Sequence, residues 1–302
     1  MAKKSQTVKD IVQVVVFLLV VGILLTGLVI YPLNRTKVVM GRDNIGDFNP
    51  DSLAVNDAEP FLAAGLRVDT FHVEADGLTK LACVYLTGGA FTGDSVRGTV
   101  ILLHDERTDR TAGLPLASSL VDSGFAVMTF DLRASGLSGG KYHGDGQLEA
   151  SDLEEIIAYL DIRDRAVRPI CAVGWSLGGD AALLAALEEE RIDRVVAVNP
   201  YLTTGRMIDV YRSERNMLWL PFFRSIFWWW YEIRSSYAVP YRKLDDIRPA
   251  ASISLVLADA QFLEDRTYER LIELSSPEKL RVIPLPDDES AATDLIVQFL
   301  TQ

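Results

Sequence analysis

The stretch Gly174-Trp175-Ser176-Leu177-Gly178-Gly179 constrains this chain more than any other. Ile170-Cys171-Ala172-Val173 before it is short and apolar, the pattern of a buried strand. The text after it, "GDAALLAALEEE", is rich in Ala and Leu with no interior proline and predicts a helix. A serine between a strand and a helix, with glycines two places to either side, predicts a sharply bent turn that lifts the hydroxyl to the carboxyl edge of a sheet. Side chains in place of those glycines would collide across the bend. The same turn aims the Leu177 amide, at the helix N-terminus, to where an oxyanion would form. Ser176 is therefore the candidate nucleophile.

The text on either side of this turn alternates between strands and helices. "LRVDTFHVEA", Asp76-Gly77 and "KLACVYL" predict an opening hairpin. "GTVILLH" is a continuous apolar run, as in a parallel strand buried on both faces. "AGLPLASSLVDSG" predicts a helix closed by Gly124, "FAVMTFD" a strand, and "LEASDLEEIIAYLDI" an amphipathic helix. Beyond the turn, "RVVAVN", "SISLVLA" and "RVIPL" read as strands and "ATDLIVQFL" as a closing helix. This order predicts an α/β fold with a mostly parallel sheet flanked by helices.

The chain resembles the α/β-hydrolase superfamily, in the branch of serine aminopeptidases, acylglycerol lipases and related membrane-anchored esterases. The resemblance rests on the Asp76-Gly77 hairpin, His104 at the end of the third strand, Asp131-Leu132-Arg133-Ala134-Ser135-Gly136-Leu137-Ser138, and the turn around Ser176. It spans about residues 60–302 and implies a serine esterase, lipase or peptidase type of activity. It also implies that the Glu106 amide is the second oxyanion donor beside Leu177. Two departures lie in the motifs: Asp105 and Ala134 stand where the family usually has glycine.

A larger departure concerns the triad, which in this fold runs Ser, then Asp or Glu, then His along the chain. All three histidines, His72, His104 and His143, precede Ser176. The loop that normally carries the histidine reads Pro286-Asp287-Asp288-Glu289-Ser290. Gln261 falls where the acid is expected, with Asp259 and Asp265 as the nearby carboxylates. A serine hydroxyl is a weak nucleophile until a positioned base takes its proton. Loss of that base costs on the order of 10⁶ in rate. Two readings stay open. One is a hydrolase-fold protein impaired in turnover and retained for binding. The other is an active serine hydrolase of ester, thioester or small amide substrates, with His143 or His104 as a non-standard base and Asp259 as acid. His104 also has a bland reading as a loop brace, and so do Asp131 and Arg133.

Residues 1–10 read as a tail and 32–64 as a linker holding a short helix at "AEPFLAAG". Between them, Ile11 to Tyr31 is an uncharged run of 21 residues. As one helix it would rise roughly 32 Å, enough to cross a bilayer. It is thus expected to be a single-pass transmembrane anchor with the bilayer as partner. Lys3, Lys4 and Lys9 precede the run, and Arg35, Lys37 and Arg42 follow it; the free amine places the 65–302 domain on the extracytoplasmic side. An insertion over about 203–244 sits at the cap position and holds four of the five tryptophans. It predicts an aromatic-rich cap with a pocket for a small apolar or acyl ligand, resting on the membrane.

The net charge of −12 argues against a nucleic-acid partner. Cys83 and Cys171 lie in apolar strand-like text and read as buried thiols. No dinucleotide fingerprint, phosphate loop or metal-ligand spacing implies a cofactor or a metal.

Overall fold

The computed structural model describes residues 11–22, 24, 58–88, 96–140, 142–214, 253–274 and 276–302. Strands β1 (Arg67–Ala75), β2 (Thr79–Thr87), β3 (Thr99–Leu103), β4 (Ala126–Phe130), β5 (Ile170–Trp175), β6 (Ile192–Val198), β7 (Ile253–Ala258) and β8 (Leu280–Pro284) form one sheet. Its spatial order is β1-β2-β4-β3-β5-β6-β7-β8. β1 and β2 pair antiparallel, as do β2 and β4, and the remaining pairs are parallel. The Asp76-Gly77 signal behaves as expected: both residues take positive φ, and Ala75 faces Thr79 across the hairpin.

The helices are α1 (Glu59–Ala63), α2 (Leu114–Asp122), α3 (Gln147–Ile162), α4 (Leu177–Glu188), α5 (Thr204–Glu214), α6 (Ala260–Leu263), α7 (Arg266–Leu274) and α8 (Glu289–Thr301). The two faces of the sheet are covered by different helices, because alternate residues of a strand point to opposite sides. Ile101 and Leu103 join Leu153, Ile156 and Ala181 from α3 and α4 on one face. Val100 and Leu102 join Leu116, Leu120 and Phe299 from α2 and α8 on the other. All five residues of β3 are buried, which is what its unbroken apolar text requires. The β3–β5–β6 strip at the centre is the rigid floor that carries the Ser176 turn.

The expected membrane anchor is not found. Among the described residues no helix is long and apolar enough to cross a membrane. Of the 11–31 run, residues 11–22 and 24 are described and helical, and the others lie outside the described residues. Hydropathy marks a candidate span and does not by itself establish a spanning helix. The single-pass localisation is therefore corrected. The linker over 32–57 lies outside the described residues, as does the 203–244 insertion beyond Glu214 with its tryptophans; α5 is its described start.

Candidate functional site

Ser176 sits between β5 and α4 with φ 48° and ψ −111°, a conformation that L-residues rarely adopt. Two glycines make the bend possible. A Cβ on Gly174 would lie 2.1 Å from the Gly178 carbonyl oxygen. One on Gly178 would lie 2.4 Å from the Leu103 oxygen and 2.5 Å from that of His104. The bend is pinned from the other side by the Ser176 amide, which donates to Val198 O at 2.9 Å. The turn is thus clamped between the carboxyl ends of β3 and β6.

Leu177 is the first residue of α4, so its amide has no partner within the helix. Among the described residues neither it nor the Glu106 amide donates a hydrogen bond, and the Ser176 hydroxyl makes none. A half-buried hydroxyl and two uncommitted amides are therefore gathered at one sheet edge.

The ring nitrogens of His104 are engaged away from Ser176. His104 is 3% exposed, and both ring nitrogens are used. Nδ1 donates to the Asp105 carbonyl at 2.5 Å, and Nε2 accepts the Leu132 amide at 2.8 Å. This pattern requires a neutral ring protonated on Nδ1. Burial lowers the His104 pKa, which favours that neutral form. His143 is also 3% exposed, with Nδ1 3.5 Å from Glu149 Oε1. Glu149 accepts the amides of Gly144 at 2.8 Å and Gly146 at 3.0 Å. Burial pushes its carboxyl up, but His143, Arg133 and the Gly144 amide outweigh that and hold it below the usual range. The residues around His143 form a buried, hydrogen-bonded turn. His72 is a half-buried residue of β1 paired with Ala82.

The carboxylates near the end of β7 are likewise committed. Asp259 accepts Asn199 Nδ2 at 3.0 Å, and its amide donates to Asn199 Oδ1 at 2.8 Å. Asp265 accepts the Thr267 amide at 2.7 Å and forms an ion pair with Arg206. Gln261 is exposed on α6. In the loop after β8, Asp288 caps α8 by accepting the Ala291 amide at 2.9 Å.

The segment after β4 is a brace, as its motif implies. Asp131 accepts the amides of Arg110 at 2.8 Å and Leu137 at 2.7 Å, and it pairs with the Arg110 guanidinium. Arg133 grips Asp152 through Nε at 2.8 Å and a second nitrogen at 2.5 Å. Ala134 has φ 60°, which explains why glycine is usual there. Cys83 and Cys171 are buried, and burial pushes the Cys171 thiol up to about 12. Among the described residues no cluster of His, Cys, Asp and Glu could hold a metal ion.

Two residues, Asp180 and Tyr201, escape a reading of the sequence. Asp180, buried in the first turn of α4, accepts the amides of Leu202 at 2.7 Å and Tyr201 at 3.2 Å. It thereby fixes the loop that leaves β6. Tyr201, held by that loop, donates its hydroxyl to Glu106 Oε1 at 2.7 Å. β3 and β6 flank β5 on either side, so this bond arches over the strand that ends at Ser176. The pairing joins residues 95 apart, and no local pattern signals it.

Residues 94–257, more than half of the chain, match the family described as serine aminopeptidase, S33. Among curated proteins none matches. An esterase of Pyrococcus furiosus is similar in structure, with a TM-score of 0.59 and 21% identity over 87% of this chain and 97% of that one. An esterase of Exiguobacterium antarcticum gives 0.56 and 17% identity over 78% and 100%. A proline iminopeptidase of Mycobacterium smegmatis gives 0.55 and 12% over 78% and 98%. At these identities the structures support the fold alone. Taken with the family match, the sheet order and the serine turn, they show that this chain belongs to the serine aminopeptidase S33 family and has the α/β-hydrolase fold.

Proposed function

We propose that this protein binds a small carbonyl compound, an ester or related acyl derivative, at the Ser176 turn and turns it over poorly. The observation that carries the reading is the Ser176 hydroxyl, which among the described residues meets no acceptor, while both nitrogens of His104 are bonded elsewhere. The uncommitted amides of Leu177 and Glu106 suit a carbonyl oxygen. The similar structures described as esterases make an acyl ligand the natural choice. Without a base, the amides and the site's shape still supply about 10³–10⁴ over water in a comparable serine hydrolase. Hydrolysis of p-nitrophenyl butanoate tests the proposal: the native chain and Ser176→Ala should differ by less than about tenfold, because the serine adds little without a base. A Ser176-dependent kcat in the ordinary enzyme range of about 1–10³ s⁻¹ would overturn it.

A further inference from the structure

The two uncommitted amides come from separate parts of the chain: Glu106 follows β3, and Leu177 opens α4 after β5. One carbonyl oxygen can take both only if their separation is fixed. The Glu106 amide sits in a tight turn. The Asp105 carbonyl accepts the Thr108 amide at 3.3 Å, and Asp105 Oδ1 accepts the Arg107 amide at 2.6 Å. Glu106 is thus second of four residues, the place whose amide such a turn leaves unused. The turn also accounts for Asp105 in place of a glycine, because an aspartate that opens a turn can bind the amide two residues on.

The outer half of this turn, Arg107 and Thr108, is exposed, and the Glu106 side chain ties the turn back across β5. Glu106 Oε1 accepts the Tyr201 hydroxyl at 2.7 Å. Tyr201 is held in its turn by Asp180, which accepts the Tyr201 amide at 3.2 Å and the Leu202 amide at 2.7 Å. Asp180 belongs to the first turn of α4, and its own amide donates to the Ser176 carbonyl at 3.0 Å. A chain of hydrogen bonds therefore runs from the helix that carries the Leu177 amide, through the loop after β6, to the turn that carries the Glu106 amide. Burial, together with the charge and hydrogen bond of Glu106, pushes the Tyr201 hydroxyl well above its usual range, so it stays a donor.

We propose that Tyr201 is a positioning residue of the Ser176 site: through Glu106 Oε1 it fixes the Glu106 amide relative to that of Leu177, so that both can meet one carbonyl oxygen. The proposal rests on the reading of the Ser176 turn as a carbonyl site and names what holds that site in shape. Tyr201 acts at a distance from the ligand. Without its hydroxyl the Glu106 amide is still present but loose, and a donor counts only where it is already aimed at the charge that develops.

Hydrolysis of p-nitrophenyl butanoate by the full chain tests the inference. Tyr201→Phe should lower kcat about tenfold, part of the about 10²–10³ that a whole donor is worth, with KM within about twofold of native. The same substitution should cost about tenfold in a Glu106→Gln background, which keeps an oxygen for the hydroxyl, and less than about twofold in Glu106→Ala, which has none to lose. Both Glu106 variants are neutral, so their comparison is free of the effect of the charge itself. Rates are read where chemical denaturation shows each chain folded; a brace serving stability alone would lower the unfolding midpoint and leave kcat unchanged. Should Tyr201→Phe not fold, kcat about tenfold higher in Glu106→Gln than in Glu106→Ala carries the same test. An unchanged kcat in Tyr201→Phe, a rise in KM alone, an equal cost of that substitution in all three backgrounds, or equal kcat in the two Glu106 variants would overturn the positioning role. A native rate no greater than that of buffer would instead overturn the reading of the Ser176 turn, and this role with it.

Discussion

The Nε2 of His104 accepts the Leu132 amide at 2.8 Å, so the imidazole holds up the turn after β4 and does not reach toward Ser176. His104→Gln should therefore act on stability. It leaves a buried amide poorly paired, which costs about 1–3 kcal/mol, and chemical denaturation should show the loss. The pH dependence follows from the lowered pKa of this buried ring. Below its ordinary value near 6.5 the unfolded chain takes up a proton that the folded chain refuses. The stabilising contribution is complete above that pH and declines as pH falls through it toward the folded value. The native chain should lose more stability between pH 7 and 5 than His104→Gln does.

Ser176 stores backbone strain at φ 48°. Ser176→Gly should raise stability by about 1 kcal/mol, since glycine adopts such a conformation without a Cβ clash. A rise in the denaturation midpoint with unchanged slope would report it; a fall would mean that the hydroxyl contributes contacts beyond those described.

Arg133 is buried against Asp152, and its charge cannot be lost by deprotonation. Asp152→Asn should destabilise by about 3 kcal/mol, because it leaves the buried guanidinium only the half-exposed Asp76 as an ion-pair partner, at 3.4 Å. The double variant Arg133→Met, Asp152→Leu should recover most of the loss, since an apolar pair of similar size often replaces a buried ion pair without cost. Urea unfolding of the three chains measures both effects.

The fold was legible because its determinants are local. Glycines at 174 and 178 and the apolar runs of β3 and β5 each speak for themselves in the text. The braces at Asp131 and Arg133 could be read because they lie within one motif. What stayed hidden depends on pairings between distant loops. Glu106 meets Tyr201 only because β3 and β6 both flank β5, and Asp180 meets Leu202 only once α4 has been built. Buried carboxylates such as Glu149 and Asp180 look in the sequence like solvated helix charges; burial gives them their roles. The apolar run at 11–31 misled for the opposite reason: hydropathy marks a candidate span, and among the described residues no helix is long and apolar enough to be one.

Among the described residues no proton acceptor meets the strained Ser176 hydroxyl beside its two uncommitted amides, and the proposed poor turnover rests on that. Reaction of the full chain with a fluorophosphonate, read by intact mass, tests it most directly, since phosphonylation needs an activated serine and no substrate match. Labelling no greater than that of Ser176→Ala is expected. Rapid, complete labelling of Ser176 that is lost in Ser176→Ala would contradict it.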